Sequence, residues 1–256
     1  MRINKFIELF ITGASLLFLS SCATIPTAPL KPQPATVYPL APELIRHDIF
    51  HTVAPGETLW RIGKIYDVRI EDIMRANNLS DKDKLSMGQR LLIPQALPAS
   101  SIIPLYPSNK WKYIVIHHSA TDVGNALTFY NAHKRRGFID GLGYHFVIDN
   151  GSAGKPGGYI EISPRWLNQQ NGAHCKAGGM NYNGIGICLV GNYSQENVPQ
   201  KQMDSLVYLV NVLRRFYRIP LKNIMGHSQV SGANTECPGT RFPWKSFFNR
   251  LKQEND

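Results

Sequence analysis

Tyr113-Ile114-Val115-Ile116-His117-His118 decides how the rest of the chain is read. A run of β-branched and aromatic residues without alternation marks a strand buried on both faces. A histidine at the end of such a strand stands where active-site groups emerge from a sheet. His118 alternates to the opposite face, so only one of the pair points into a given site. Working outward, Ala126–Arg136 has helical spacing, and Gly143–Ile148 and Gly184–Val190 read as strands. Met203, Leu206, Val207, Val210, Leu213 and Phe216–Tyr217 trace an amphipathic helix that Pro199 starts, and Trp244–Leu251 reads as a closing helix. Strands interleaved with helices predict an α/β domain, a mixed central sheet flanked by helices.

Two further residues give His117 a chemical meaning. His227 follows Ile224-Met225-Gly226, and Cys237 opens a Cys-Pro-Gly turn ten residues later. Each residue alone is ambiguous. Two imidazoles and a thiolate together are a zinc set, and three protein ligands leave a fourth position open, which argues for hydrolysis over a structural metal.

The N-terminal part has a different composition. Arg2 and Lys5 precede an apolar stretch from Phe6 to Leu19, too short for a membrane span and suited to a signal peptide. Residues 23–48 carry Pro26, Pro29, Pro32, Pro34, Pro39 and Pro42, the composition of an extended linker. Then comes a unit of about forty-five residues. Phe50–Val53 reads as a strand, and Leu59, Ile62 and Ile65 as a helix. Ile70, Ile73 and Met74 suggest a second helix ending at Asn77-Asn78, and Leu91–Ile93 closes as a strand before Pro94. A second linker, 96–109, holds Pro98, Pro104 and Pro107, and its length predicts independent domain motion. The net charge of +10 suits an anionic partner without choosing one, and no nucleic-acid-reading motif is present, so nucleic acid is not an expected partner.

Several blocks carry resemblances. Leu19-Ser20-Ser21-Cys22 resembles the bacterial lipoprotein signal, which implies lipidation of Cys22 and a membrane anchor; Ala23 then points to the outer membrane facing the periplasm. His51-Thr52-Val53, Pro55-Gly56-Glu57-Thr58-Leu59, Ala76-Asn77-Asn78-Leu79 and Gly88-Gln89-Arg90-Leu91 resemble the LysM domain. That implies a βααβ fold that binds N-acetylglucosamine-containing glycans such as peptidoglycan. The groove would lie between Gly56, Thr58 and Leu59 on one side and Asn77, Asn78 and Leu79 on the other, although residues at helix ends also serve packing and capping.

Ile116-His117-His118-Ser119-Ala120-Thr121, Gly143-Tyr144-His145-Phe146, Gly172-Ala173-His174, Gly184–Asn192, Gly226-His227 and Thr235-Glu236-Cys237-Pro238-Gly239 occur in order. Together they resemble the type 2 zinc N-acetylmuramoyl-L-alanine amidases, a class that includes the peptidoglycan recognition proteins. The resemblance implies Zn2+ on His117, His227 and Cys237, catalytic roles for Tyr144 and Thr235, and zinc-activated water attacking the muramoyl–alanine amide of peptidoglycan. His174 is a candidate substrate contact, and Arg165 and Trp166 are candidates for the peptide cleft, although a Trp in a loop is as often a packing plug; His133 and His145 read as packing or orienting residues. One branch of the class places a catalytic glutamate where this chain has Cys188, so that base does not carry over. Cys188 reads first as a buried small hydrophobe and second as a participant near the metal. A Cys175–Cys188 disulfide is compatible with export. The alternative to an enzyme is a non-catalytic peptidoglycan sensor, or a tether between outer membrane and wall.

The expected organisation is a signal peptide at 1–21, a lipidated cysteine and linker at 22–48, LysM at 49–95, a linker at 96–109 and the amidase domain at 110–256.

Overall fold

The computed structural model describes residues 45–253. The signal peptide, Cys22 and most of the first linker lie outside the described residues. No helix among the described residues is long and apolar enough to cross a membrane.

The small unit is βααβ: β1 (His47–Thr52), α1 (Leu59–Tyr66), α2 (Ile70–Ala76) and β2 (Arg90–Ala96). β1 and β2 pair antiparallel, with a register shift between His47 and Ile49. Both strands run longer than the sequence suggests, and β2 continues through Pro94. A two-stranded sheet leaves each strand one unpaired edge, where a residue without an N–H costs no ladder bond. Val53, Leu59, Ile62, Ile65, Ile73, Leu91 and Ile93 form the core.

The large domain is a five-stranded mixed sheet in the order β5-β4-β6-β3-β7. Its strands are β3 (Tyr113–His118), β4 (Phe146–Ile148), β5 (Ile160–Ile162), β6 (Gly184–Leu189) and β7 (Ile224–Gly226). β6 pairs parallel with β3 and β4, β3 pairs parallel with β7, and β5 is antiparallel to β4. The helices are α3 (Ala126–Arg135), α4 (Pro164–Leu167), α5 (Met180–Asn183), α6 (Gln200–Tyr217) and α7 (Trp244–Gln253). α6 buries Met203, Leu206, Val207, Val210 and Leu213 against the sheet, and Phe247 and Leu251 of α7 join the same core. The strand expected over Gly143–Ile148 is only Phe146–Ile148. Gly143 instead accepts a hydrogen bond from Ala173 N at 2.9 Å, which leaves Tyr144 in a loop above the sheet. β5 and β7, three residues each, were too short to show a period.

The second linker does not leave the domains independent. Ile103, Leu105 and Tyr106 pack against the large core. Trp166 Nε1 donates to Pro104 O at 2.8 Å, Tyr217 Oη to Tyr106 O at 2.9 Å, and Arg61 Nη2 to Ile102 O at 3.1 Å. The apolar residues between the prolines turn the segment into a strap. Contact between the domains continues in a buried polar cluster. His51 Nε2 lies 2.8 Å from Glu57 Oε2 and 3.1 Å from Lys155 Nζ. Lys155 Nζ is also 3.8 Å from Glu161. Tyr159 of the large domain sits in the core of the small one.

Candidate metal centre

The topology assembles the centre. β3 lies between β6 and β7, and all three run parallel, so their C-terminal ends share one edge. His117 is the fifth residue of β3, and His227 is the first residue after β7. Cys237 is returned to them by a turn in which Ser228 N donates to Cys237 O at 2.7 Å. The ligand atoms of His117, His227 and Cys237 all lie within 4.8 Å of one another. His117 Nδ1 and Cys237 Sγ are 3.5 Å apart. That is close to the edge of a tetrahedron around an ion with bonds of about 2.0–2.3 Å. The amide of His118 donates to Cys237 Sγ at 3.4 Å, a contact that favours a charged sulfur and that sequence reading missed.

Electrostatically the cluster asks for a cation. Burial, followed by His174 and His227, pushes the His117 imidazole well below its ordinary range. Burial lowers His227 as well. Burial pushes the Cys237 thiol up to about 12. Neutral imidazoles are ready ligands, whereas a buried thiol ionises only beside a positive charge. The donor set therefore fits zinc: two imidazoles and a thiol, three donors that leave a fourth coordination position unfilled by protein.

Tyr144 forms part of the wall. Its ring is 5.2 Å from that of His117. Burial, then the Cys188 and Cys237 sulfurs, push its hydroxyl well above the ordinary range, which keeps it a proton donor. His133 Nδ1 accepts from Gly143 N at 3.0 Å and fixes the backbone just before Tyr144, the orienting role expected of it. Thr235 is exposed, and its Oγ1 accepts from Cys237 N at 3.1 Å, tightening the turn that carries the thiol. Cys175, Cys188 and Cys237 are all free and buried, so no Cys175–Cys188 disulfide forms. Cys188 pairs with His117 in register and lies fully buried in the cluster against which Tyr144 packs; burial, then the Cys237 sulfur, raise its thiol well above the ordinary value.

Three proposed substrate contacts are elsewhere. Trp166 is fully buried in the large core. Arg165 is buried with Nε on Leu142 O at 2.7 Å and Nη1 on Asn171 O at 2.7 Å, holding the loop that leads to Tyr144. His174 is buried behind His117, with its Nδ1 3.1 Å from His117 Nε2. Single-sequence spacing does not separate a residue facing a cleft from one supporting its back wall.

In the small domain most of the proposed groove residues build the fold. Thr58 Oγ1 caps α1 by accepting from Arg61 N at 3.3 Å. Leu59 is buried in the core, and Leu79 packs against it. Asn77 donates to Ile73 O and Leu92 O, both at 2.7 Å, and accepts from Leu92 N at 2.8 Å, so its amide is committed. Asn78 is exposed in a left-handed turn at φ 53. Gly56 is exposed at φ +78, where an added Cβ would lie 3.3 Å from both Pro164 Cγ and Leu167 Cδ1 of α4. Of the proposed set, Gly56, Thr58 and Asn78 are exposed, Asn77 and Leu79 are half-buried, and Leu59 is buried.

Comparison with known proteins bears on both domains. A family model described as N-acetylmuramoyl-L-alanine amidase matches residues 107–240, and one described as LysM domain matches residues 51–94. The endolysin of Enterobacteria phage K11 is 33% identical over 132 residues, 48% of this chain and 77% of the endolysin. The endolysin of Escherichia phage T7 is 34% identical over 112 residues, 41% of this chain and 64% of that protein. Among solved structures, the N-acetylmuramoyl-L-alanine amidase LysC from Clostridium intestinale URNW aligns at 30% identity with a TM-score of 0.47, covering 60% of this chain and 95% of its own.

Proposed function

Because the chain belongs to the N-acetylmuramoyl-L-alanine amidase family and carries a LysM domain, we propose that it is a zinc-dependent peptidoglycan amidase in which His117, His227 and Cys237 hold the metal. The observation that carries this reading is the convergence of those three donors at the C-terminal edge of parallel strands, beside Tyr144. The bond cut is the amide between N-acetylmuramic acid and L-alanine. A zinc ion held there supplies the Lewis acidity that such an amide needs for attack by water.

The chain's own residues do the rest. Tyr144, kept protonated by burial, is placed to donate to the oxygen that becomes negative as the carbonyl is attacked. Thr235, whose exposed hydroxyl oxygen accepts from Cys237 N, retains a hydroxyl proton that can serve as a second donor. The His118 amide stabilises the ligand sulfur. The LysM domain keeps the enzyme on glycan and raises the local concentration of stem peptides.

Purified sacculi incubated with the wild-type protein should release stem peptides beginning at L-alanine, identified by mass spectrometry, and a chelator should stop the release. Full release by His227→Ala protein refutes the metal assignment. We also propose that Cys22 is lipidated and that the protein faces the periplasm from the outer membrane, a reading that rests on Arg2, Lys5, the apolar stretch and Leu19-Ser20-Ser21-Cys22. Radiolabelled palmitate should then be incorporated into the wild-type protein and not into Cys22→Ser.

A further inference from the structure

Behind the metal centre three histidines stand in a row. His117 and His174 have ring centroids 5.0 Å apart, and His174 and His145 5.6 Å apart. Each imidazole makes hydrogen bonds whose direction can be worked out from groups of fixed polarity. His174 Nε2 lies 3.1 Å from Gly184 O. A carbonyl oxygen only accepts, so this nitrogen carries the proton. In a neutral ring the other nitrogen, Nδ1, is then an acceptor, and the group facing it at 3.1 Å is His117 Nε2. That nitrogen must donate. His117 is left with its lone pair on Nδ1, the atom 3.5 Å from Cys237 Sγ. His145 is fixed in the same sense: its Nδ1 accepts from Gly186 N at 2.9 Å, and its Nε2 faces Gln170 O at 3.2 Å.

Two glycines make room for the row. A Cβ on Gly186 would lie 2.4 Å from His174 Cδ2, and one on Gly172 would lie 2.3 Å from the same atom. Both clashes are with a ring that hydrogen bonds hold at both nitrogens, so no soft side-chain end can move aside. The Gly172-Ala173-His174 and Gly184-Ile185-Gly186 blocks are thus two halves of one arrangement: one supplies the imidazole, and the other supplies its acceptor and the space it fills.

We propose that His174 is a positioning residue, which holds His117 in the Nε2–H form and aims its Nδ1 lone pair at the metal. Reversing the relay shows why the two need each other. If His174 presented an N–H toward His117, then His117 Nε2 would accept it and Nδ1 would carry the proton. A protonated nitrogen would then face the ion. A metal-loaded centre therefore requires the orientation that Gly184 O imposes two residues away in the chain of bonds. The role resembles that of the carboxylates and carbonyls that commonly fix metal-binding histidines, with an imidazole inserted between carbonyl and ligand.

This inference rests on the zinc reading above, and its test separates the two. Zinc affinity is measured by competition with a chromophoric chelator for the wild type, His174→Phe and His174→Gln. Phenylalanine keeps a flat ring but neither accepts nor donates, and should weaken zinc binding about 10- to 100-fold. Glutamine restores an acceptor toward His117 and a donor toward Gly184 O, and should recover most of the loss. The cobalt-substituted proteins should show the same order in their ligand-field bands, which respond to ligand geometry and not to stability. Wild-type affinity and spectrum in folded His174→Phe overturn the proposal. Should that variant fail to fold, long-range 15N–1H spectra of the zinc-loaded wild type decide: His117, His174 and His145 should all be Nε2–H, and an Nδ1–H on His174 overturns it. A wild type that binds zinc through this relay yet releases no stem peptide refutes the amidase reading and leaves the relay standing. A wild type that takes up no zinc overturns both.

Discussion

The two domains spend their motif residues differently. In the LysM domain Thr58 caps a helix, Leu59 fills the core and Asn77 ties α2 to β2. In the amidase domain the ligand atoms of His117, His227 and Cys237 converge within 4.8 Å of one another, and the contact from the His118 amide to Cys237 Sγ supports that convergence. A domain of some forty-five residues buries little surface and needs nearly every marked position to stay folded. A larger domain has core to spare, and can keep buried polar groups aimed at a ligand. The same kind of sequence block therefore signals fold in one domain and chemistry in the other.

Substitutions can break or sharpen that contrast. The largest effect should follow Cys237→Ala, which should abolish stem-peptide release while leaving the melting temperature of the metal-free protein near that of the wild type. A collapse in stability comparable to the loss of activity would mean that the sulfur serves the fold.

Next comes Glu57, which belongs to the small domain but is spent on the interface. Burial pushes its carboxyl up, yet the His51 hydrogen bond, the Lys155 charge and the Ala54 amide prevail and hold it at about 2, against an ordinary 4.5. A depressed carboxyl stabilises the fold above its unfolded value and loses that contribution as pH falls toward the folded one. The stability of the wild type relative to Glu57→Gln should therefore fall by about 3 kcal/mol between pH 4.5 and 2, read from denaturant melts. A difference that stays flat with pH would show that the interface does not depend on the charge.

Asn77→Ala should cost about 2 kcal/mol, because it strands the N–H and C=O of Leu92. Binding to insoluble peptidoglycan should then weaken only as far as the small domain unfolds. Loss of binding at unchanged stability would restore Asn77 to the glycan surface. The smallest effect belongs to Thr58→Ala, which removes a helix cap and should cost about 1 kcal/mol.

Much of this was legible in the sequence. The βααβ unit, the α/β domain and the candidate metal donors His117, His227 and Cys237 could be named from residue type, period and order. Their reading failed where a side chain's surroundings mattered. Arg165 and Trp166 sit in a loop that looked like a cleft wall, but α4 turns them inward onto Leu142 O and Pro104 O. The 96–109 segment looked like a tether because of its prolines, while Ile103, Leu105 and Tyr106 carried the decisive signal.

The sequence by itself determined which groups this protein has for chemistry: two imidazoles and a thiol on strand ends and a turn, and the glycan module beside them. These depend on local pattern, and local pattern is written in neighbouring residues. The tertiary structure decided how those groups are used. His174 stands behind His117 across 57 residues of chain, and Lys155 reaches His51 across 104. Which nitrogen of His117 faces Cys237 and which faces His174, and how the linker packs, depend on the register of parallel strands and on contacts made only once the sheet has closed. No spacing rule encodes such pairings, because they arise from packing between segments far apart in the chain.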